Sequence, residues 1–173
     1  MNNPNLPCRK PNRLKLYNYS DNGAYFITIC VKDRCQILSQ ITVGDGVPDV
    51  PQNTLTKYGK IVEKYLNQMS IFYNDINVDK YVIMPNHIHF ILFVSNYQNH
   101  HDDGTSRTPS PTNSTVAKFI STLKRFCNKE FGENIWQRSS HDHIIRNDKD
   151  YSAIWEYIDT NVLRWEKDCF YDN

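Results

Sequence analysis

The sequence predicts an α+β fold, and three observations carry the prediction. Runs of strand length, rich in β-branched and aromatic residues, fall at residues 24–31, 76–84 and 87–94, the first and third strongly apolar and the second apolar over residues 81–84. Two amphipathic stretches of helical period, residues 57–70 and 114–131, separate the first run from the second and follow the third. Pro85-Asn86 reads as a tight turn that joins the second and third runs into a hairpin. A short strand through His143-Ile144-Ile145 then completes the order βαββαβ. This is the split βαβ pattern of a ferredoxin-like antiparallel sheet with two helices on one face. A last helix, residues 149–161, must pack on the open face or at a sheet edge.

The elements are justified in turn. Residues 1–17 form a basic arm holding Arg9, Lys10, Arg13 and Lys15 and no acid. The first strand, AYFITICV, is bounded by Gly23 and by Lys32-Asp33-Arg34. Residues 39–56, with Gly44, Gly46, Pro48 and Pro51, read as a loop with a short edge hairpin around residues 41–43. In the first helix Tyr58, Ile61, Val62, Tyr65, Leu66 and Met69 share a face, opposite Lys60, Glu63, Lys64 and Asn67. Thr54 or Thr56 can cap it. Residues 95–113 are polar and rich in Ser, Thr and Pro, the composition of a mobile loop. Its His100, His101, Asp102 and Asp103 lack the rigid support that a metal site needs. In the second helix Val116, Phe119, Ile120, Leu123, Phe126 and Cys127 form the apolar stripe, and the opposite face is basic. Asn147 or Asp148 can cap the last helix.

A length of 173 residues fits one domain, 1–173. The net charge of +1 does not announce a polyanion binder, but the charge is uneven. Local basic patches count for more than the sum. The five cysteines are odd in number and show neither CxxC nor zinc-finger spacing, which predicts reduced thiols in a cytoplasm. No signal peptide and no run of membrane-spanning length is evident.

The chemistry concentrates in MPNHIHFILFV, residues 84–94. Side chains alternate along a strand, so His87 and His89 share one face and Ile88 takes the other. Two adjacent imidazoles on a rigid strand make half of a metal site. Alone, such a pair is more often packed beside a core than bound to a metal. Among the eleven tyrosines, Tyr25, Tyr58, Tyr65 and Tyr81 sit in apolar stripes. Tyr157 differs, lying in IWEYIDTN with Asn161 one turn later on the same face. A phenol there can attack an electrophile that a metal polarises.

In these stretches the chain resembles the REP-associated tyrosine transposases, single-tyrosine transposases of the HUH endonuclease superfamily. The resemblance rests on YNYSDNGAYFITICVKDR, VDKYVIMPNHIHFIL, AKFISTLKRFCNK, IWQRSSHDHIIRNDKDY and IWEYIDTNVLRW, which run in the family's order over nearly the whole chain. It places the HUH motif on His87, Ile88 and His89, the nucleophile on Tyr157 and a third metal ligand on Asn161. Two departures stand out. Asn161 is followed by Val162 where Asn-Pro is common, and Ser139-Ser140-His141-Asp142 replaces an aromatic pair and an acid.

The resemblance implies metal-dependent cleavage and rejoining of single-stranded DNA through a 5′-phosphotyrosine, on hairpin or palindromic-repeat DNA. Mg²⁺ or Mn²⁺ suits the ligands, and a bacterial, nucleoid-associated cytoplasmic location follows. The basic arm together with Lys118, Lys124, Arg125, Arg138 and His143 are the candidate DNA contacts. Both monomer and homodimer occur among such enzymes. Two other readings compete: a nucleic-acid-binding module without turnover, and a metal-dependent phosphodiesterase that uses water.

Overall fold

The computed structural model describes residues 17–42, 50–95 and 114–171. The basic arm with Arg9, Lys10, Arg13 and Lys15, and the loop residues 96–113 with His100, His101, Asp102 and Asp103, lie outside the described residues. The predicted order is present: β1 (Gly23–Cys30), a hairpin of β2 (Ser39–Thr42) and β3 (Gln52–Leu55), α1 (Lys57–Phe72), β4 (Ile76–Ile83), β5 (His87–Val94), α2 (Thr115–Phe131), β6 (His141–Ile145) and α3 (Asp148–Thr160). A 3-10 segment, Val162–Lys167, follows α3.

Four strands form one antiparallel sheet in the order β4-β5-β1-β6. The chain has the α+β fold read from its sequence. Strands β5 and β1 are central and therefore buried on both faces. That explains why HIHFILFV is almost uniformly apolar beyond its histidines rather than alternating with polar residues. On one face Ile27, Ile29, Ile88, Phe90 and Leu92 pack with Val62 and Leu66 of α1 and Phe119 and Leu123 of α2. On the other face Ala24 and Ile91 pack with Ile158 of α3, flanked by Phe26, Val82, Ile154 and Tyr157. Helix α3 thus covers the face that α1 and α2 leave open.

Helix starts follow the sequence. Thr56 caps α1, its Oγ1 accepting from the Tyr58 and Gly59 amides at 3.2 and 3.3 Å. The other capping candidate, Thr54, lies within β3. Ser114 caps α2 and Asn147 caps α3. Gly132 ends α2 at φ 79, the left-handed conformation that glycine adopts without steric cost. Each cap contributes about 1 kcal/mol. Among the described residues no helix is long and apolar enough to cross a membrane.

Fastening of the β4–β5 turn positions the site. The Pro85 carbonyl accepts from Leu38 N at 2.9 Å, and the Asn86 carbonyl accepts from Val31 N at 2.8 Å. The Leu38 carbonyl in turn accepts from the Thr56 amide at 3.0 Å and lies against Gly59. A Cβ added at Gly59 would meet that carbonyl oxygen inside van der Waals contact. Gly59→Ala should therefore destabilise the protein by about 1–3 kcal/mol despite the better helix propensity of alanine, as overpacking does. Urea unfolding measures it, and an unchanged or raised midpoint would show that the hairpin gives way freely.

Candidate metal centre and tyrosine

Strand β5 puts His87 and His89 side by side, with ring centroids 4.4 Å apart. They face α3 and are 0% and 1% exposed. Burial disfavours an imidazolium. It pulls His87 down to about 4 and His89 well below its ordinary value, the latter helped by the charge of the neighbouring histidines. Both are neutral bases at pH 7.

The tautomer of His87 follows from its partners. Asn86 Nδ2 donates to the Phe170 carbonyl at 2.7 Å, which fixes the orientation of the amide. Asn86 Oδ1 then only accepts, so the 2.8 Å contact to His87 Nδ1 is Nδ1–H donating. The lone pair of His87 lies on Nε2, which is buried and has no hydrogen-bond partner among the described residues. His89 Nδ1 meets Thr28 Oγ1 at 2.8 Å, leaving its Nε2 toward Tyr157. Thr28 is the cross-strand partner of His89, so sheet register sets this contact. Holding Nδ1 in a hydrogen bond and freeing Nε2 is how proteins present imidazoles to metals.

A carboxylate that sequence reasoning missed completes the cluster. Ligand atoms of His87, His89 and Asp168 lie within 4.8 Å of one another, and this group could hold a metal ion. Asp168 comes from the segment after the 3-10 turn, and neither periodicity nor spacing ties it to a strand 79 positions earlier. An acid seven residues beyond Asn161 was the one available hint. Asn161 is buried as well. Its Nδ2 donates to Asp168 Oδ2 at 3.1 Å, while its Oδ1 has no partner among the described residues. Two orphaned acceptors, His87 Nε2 and Asn161 Oδ1, beside a carboxylate make a donor set that fits a divalent cation.

Tyr157 projects from α3 into the same place. Its hydroxyl lies 3.3 Å from His89 Nε2 and donates to Asp168 Oδ2 at 3.3 Å. Its ring stands edge-on to those of His89 and Phe26. Burial and the Asp168 charge push its pKa up to about 12, so the phenol is protonated at rest. Phe170 lies over His87, ring centroids 4.5 Å apart, and Trp165 flanks the same ring at 6.0 Å.

Other candidates are placed differently. Lys118, Arg125 and Arg138 are exposed, and α2 lies across the sheet from the histidines, so the structure does not bring Lys118 or Arg125 to the cluster. Lys124 is not a free surface cation. Its Nζ donates to the Gln137 and Ser139 carbonyls at 2.8 and 3.1 Å, and burial lowers its pKa to about 8. His143 is bound to Asp150 at 2.9 Å at the start of α3. The histidine that borders the tyrosine is His141, two residues earlier on the same strand face.

Fold and site together define an α+β protein with two buried histidines and a half-buried aspartate clustered beside a tyrosine. No family model matches the chain. An uncharacterized protein of Haemophilus influenzae is 30% identical over 180 residues, covering 98% of this chain and 96% of that protein, and the chain belongs to the same family. Among solved structures, a REP-associated tyrosine transposase bound to a REP hairpin is similar at a TM-score of 0.59 and 19% identity, over 91% of this chain and 74% of that one. That likeness is one of fold. A putative transposase from Deinococcus radiodurans overlaps at a TM-score of 0.41 and 16% identity, over 88% and 97% of the two chains.

Two predictions follow from the cluster. In the metal-free protein the unfolded chain takes up protons at His87 near 6.5 and the folded chain near 4. Stability is therefore full above pH 6.5 and is lost as the pH falls toward 4. Thermal melts across that window should show the midpoint dropping, less steeply in His87→Gln; equal slopes would remove His87 as the cause. Separately, Thr28→Val should weaken Mn²⁺ binding about 10–100-fold by titration calorimetry, because the ring orientation of His89 is lost. Unchanged affinity would show that Thr28 does not orient the ligand.

Proposed function

We propose that the protein is a metal-dependent single-stranded DNA endonuclease and strand transferase, a transposase with Tyr157 as its nucleophile. The observation that carries this reading is the placement of the Tyr157 hydroxyl 3.3 Å from both His89 Nε2 and Asp168 Oδ2, inside a cluster able to take a cation. The fold shared with the REP-associated tyrosine transposase supports it.

His87, His89 and Asp168, with Asn161 beside them, would hold the ion. Mg²⁺ and Mn²⁺ both suit the oxygen donors, and the imidazoles favour Mn²⁺. When bound, the ion supplies Lewis-acid polarisation of the scissile phosphate and offsets the charge that develops there. The remaining steps belong to the chain. The Tyr157 oxygen attacks phosphorus, forming a phosphotyrosine, while the bond from phosphorus to the 3′-oxygen breaks and that oxygen leaves with its electron pair. The Asp168 carboxylate, which accepts the phenolic hydrogen bond, orients the hydroxyl and gives its proton a first acceptor. The leaving 3′-oxygen takes up a proton, and reversal by another 3′-hydroxyl rejoins strands without an external energy source.

Substrates in this reading are folded single strands with hairpin stems. Arg9, Lys10, Arg13, Lys15, Lys118, Arg125 and Arg138 would hold phosphates, which gives binding a steep salt dependence. Tyr157 lies beside His89 of its own chain, which supports a reading in which the protein acts as a monomer. In this reading the protein would act at the nucleoid.

The test is incubation with labelled hairpin DNA and Mn²⁺, resolved on a denaturing gel. Label should travel with the protein, and should be lost in Tyr157→Phe, in His87→Ala and with chelator. Free cleaved DNA that persists in Tyr157→Phe would make water the nucleophile. Tight binding without cleavage would leave a binding module.

A further inference from the structure

A recess of about 470 Å³ opens beside Tyr157. Phe26, Tyr157 and Phe170 supply apolar ring surface. Gln137, Ser139 and His141 line another side, and all three come from one short segment. The backbone of that segment is held from behind. Lys124 Nζ donates to the Gln137 and Ser139 carbonyls, and Gln137 N donates to the Cys30 carbonyl at 2.9 Å. The side chains are not so engaged. The Gln137 amide, the Ser139 hydroxyl and the His141 ring make no hydrogen bond among the described residues.

Sheet register sets His141. Thr28 pairs with His89 on one side and with His141 on the other, so the three side chains stand in a row on one sheet face. His141 thus lies across Thr28 from a metal-ligating group, in the recess that the tyrosine borders. Rigid backbone, idle donors and acceptors, and ring walls describe a pocket for a flat heteroaromatic ligand with polar edge atoms. The volume lies within the range of small-molecule sites, about 300–1,000 Å³. A nucleobase has that chemistry. An unpaired base offers its hydrogen-bonding edge to side chains, and a paired one does not.

The geometry points to a base-reading subsite: this recess takes the single unpaired nucleobase next to the scissile phosphate, with Gln137 and His141 reading its edge and Phe26 and Phe170 contacting its ring. The subsite rests on the strand-cleaving reading above. It gives Lys124 the task of holding the reading segment in place, rather than contacting phosphate.

The test uses full-length protein with chelator present, so that nothing is cleaved. A hairpin with a labelled single-stranded flank carries one abasic site, moved through the flank position by position, and affinity is read by fluorescence anisotropy. One position, next to the cleaved bond, should weaken binding at least about fivefold, the low end of base–aromatic contact. That penalty should disappear in the Gln137→Ala/His141→Ala variant, whose affinity for intact and abasic DNA becomes equal. The ratio within one variant is an internal control, because a misfolded protein loses both affinities. Equal weakening at every position, or an unchanged penalty in the variant, would overturn the subsite while leaving strand cleavage standing. Free nucleoside monophosphate that binds the recess without any position dependence in the strand would also overturn it. Absence of affinity for any hairpin would overturn this inference and the function together.

Discussion

The structure depends on burying two neutral imidazoles in its most central strand. Water is excluded from His87 and His89, and an unpaired polar group in such a place is costly. The surroundings answer that cost one nitrogen at a time. Asn86 and Thr28 take the two Nδ1 atoms, and both are themselves fixed: Asn86 by the Phe170 carbonyl, Thr28 by its place in β1. What remains are the two Nε2 atoms, close to Asp168 and Tyr157. The same constraint explains why the turn before β5 is fastened from Val31 and Leu38. Movement of Asn86 would disturb both the ring of His87 and the segment that carries Asp168.

The two faces of the sheet divide the work. The face under α1 and α2 holds the larger core, with Val62, Leu66, Phe119 and Leu123 all fully buried. The face under α3 holds a small one, and Ile158 is the fully buried residue of that helix. Burying an isoleucine is worth about 1.5–3 kcal/mol. The polar ties of α3 to β4 add less: the Lys80–Asp159 pair is half exposed, and such pairs give about 0–1 kcal/mol. Lys80 over the Trp155 ring at 3.7 Å adds a similar increment. The helix that carries the tyrosine is therefore the less firmly held layer, while the histidines sit on the rigid one.

Much of this was legible in the sequence, for identifiable reasons. Alternation along residues 87–94 gave the shared face of His87 and His89, because strand geometry leaves no choice. Helical period with Thr56 and Asn147 gave the starts of the first and last helices, since caps are local chemistry. The edge hairpin showed as Gly and Pro punctuation, though its second strand, Gln52–Leu55, is too polar to read as one. Contacts between distant segments were hidden. Asp168 reaches the cluster because the chain turns back after α3, and Thr28 because β1 pairs with β5 in one register. Lys124 looked like part of a basic surface, and only the path of residues 137–139 shows it engaged. His143 and His141 share a strand face, so alternation could not choose between them; the position of Asp150 does.

The paired histidines also bear on how such a chain can change over time. Most positions of β5 can exchange one apolar residue for another at modest cost, and the loops beyond the sheet can lengthen or shorten. Within the strand or its preceding turn, the gain or loss of one residue would rotate every later side chain to the opposite face. Imidazoles would then enter the helix-packed core and Ile88 would meet Tyr157. A lineage carrying this site is free to drift in composition along residues 84–94 but is locked in length there. That makes spacing, more than residue identity, the feature by which descendants of this strand should be recognised.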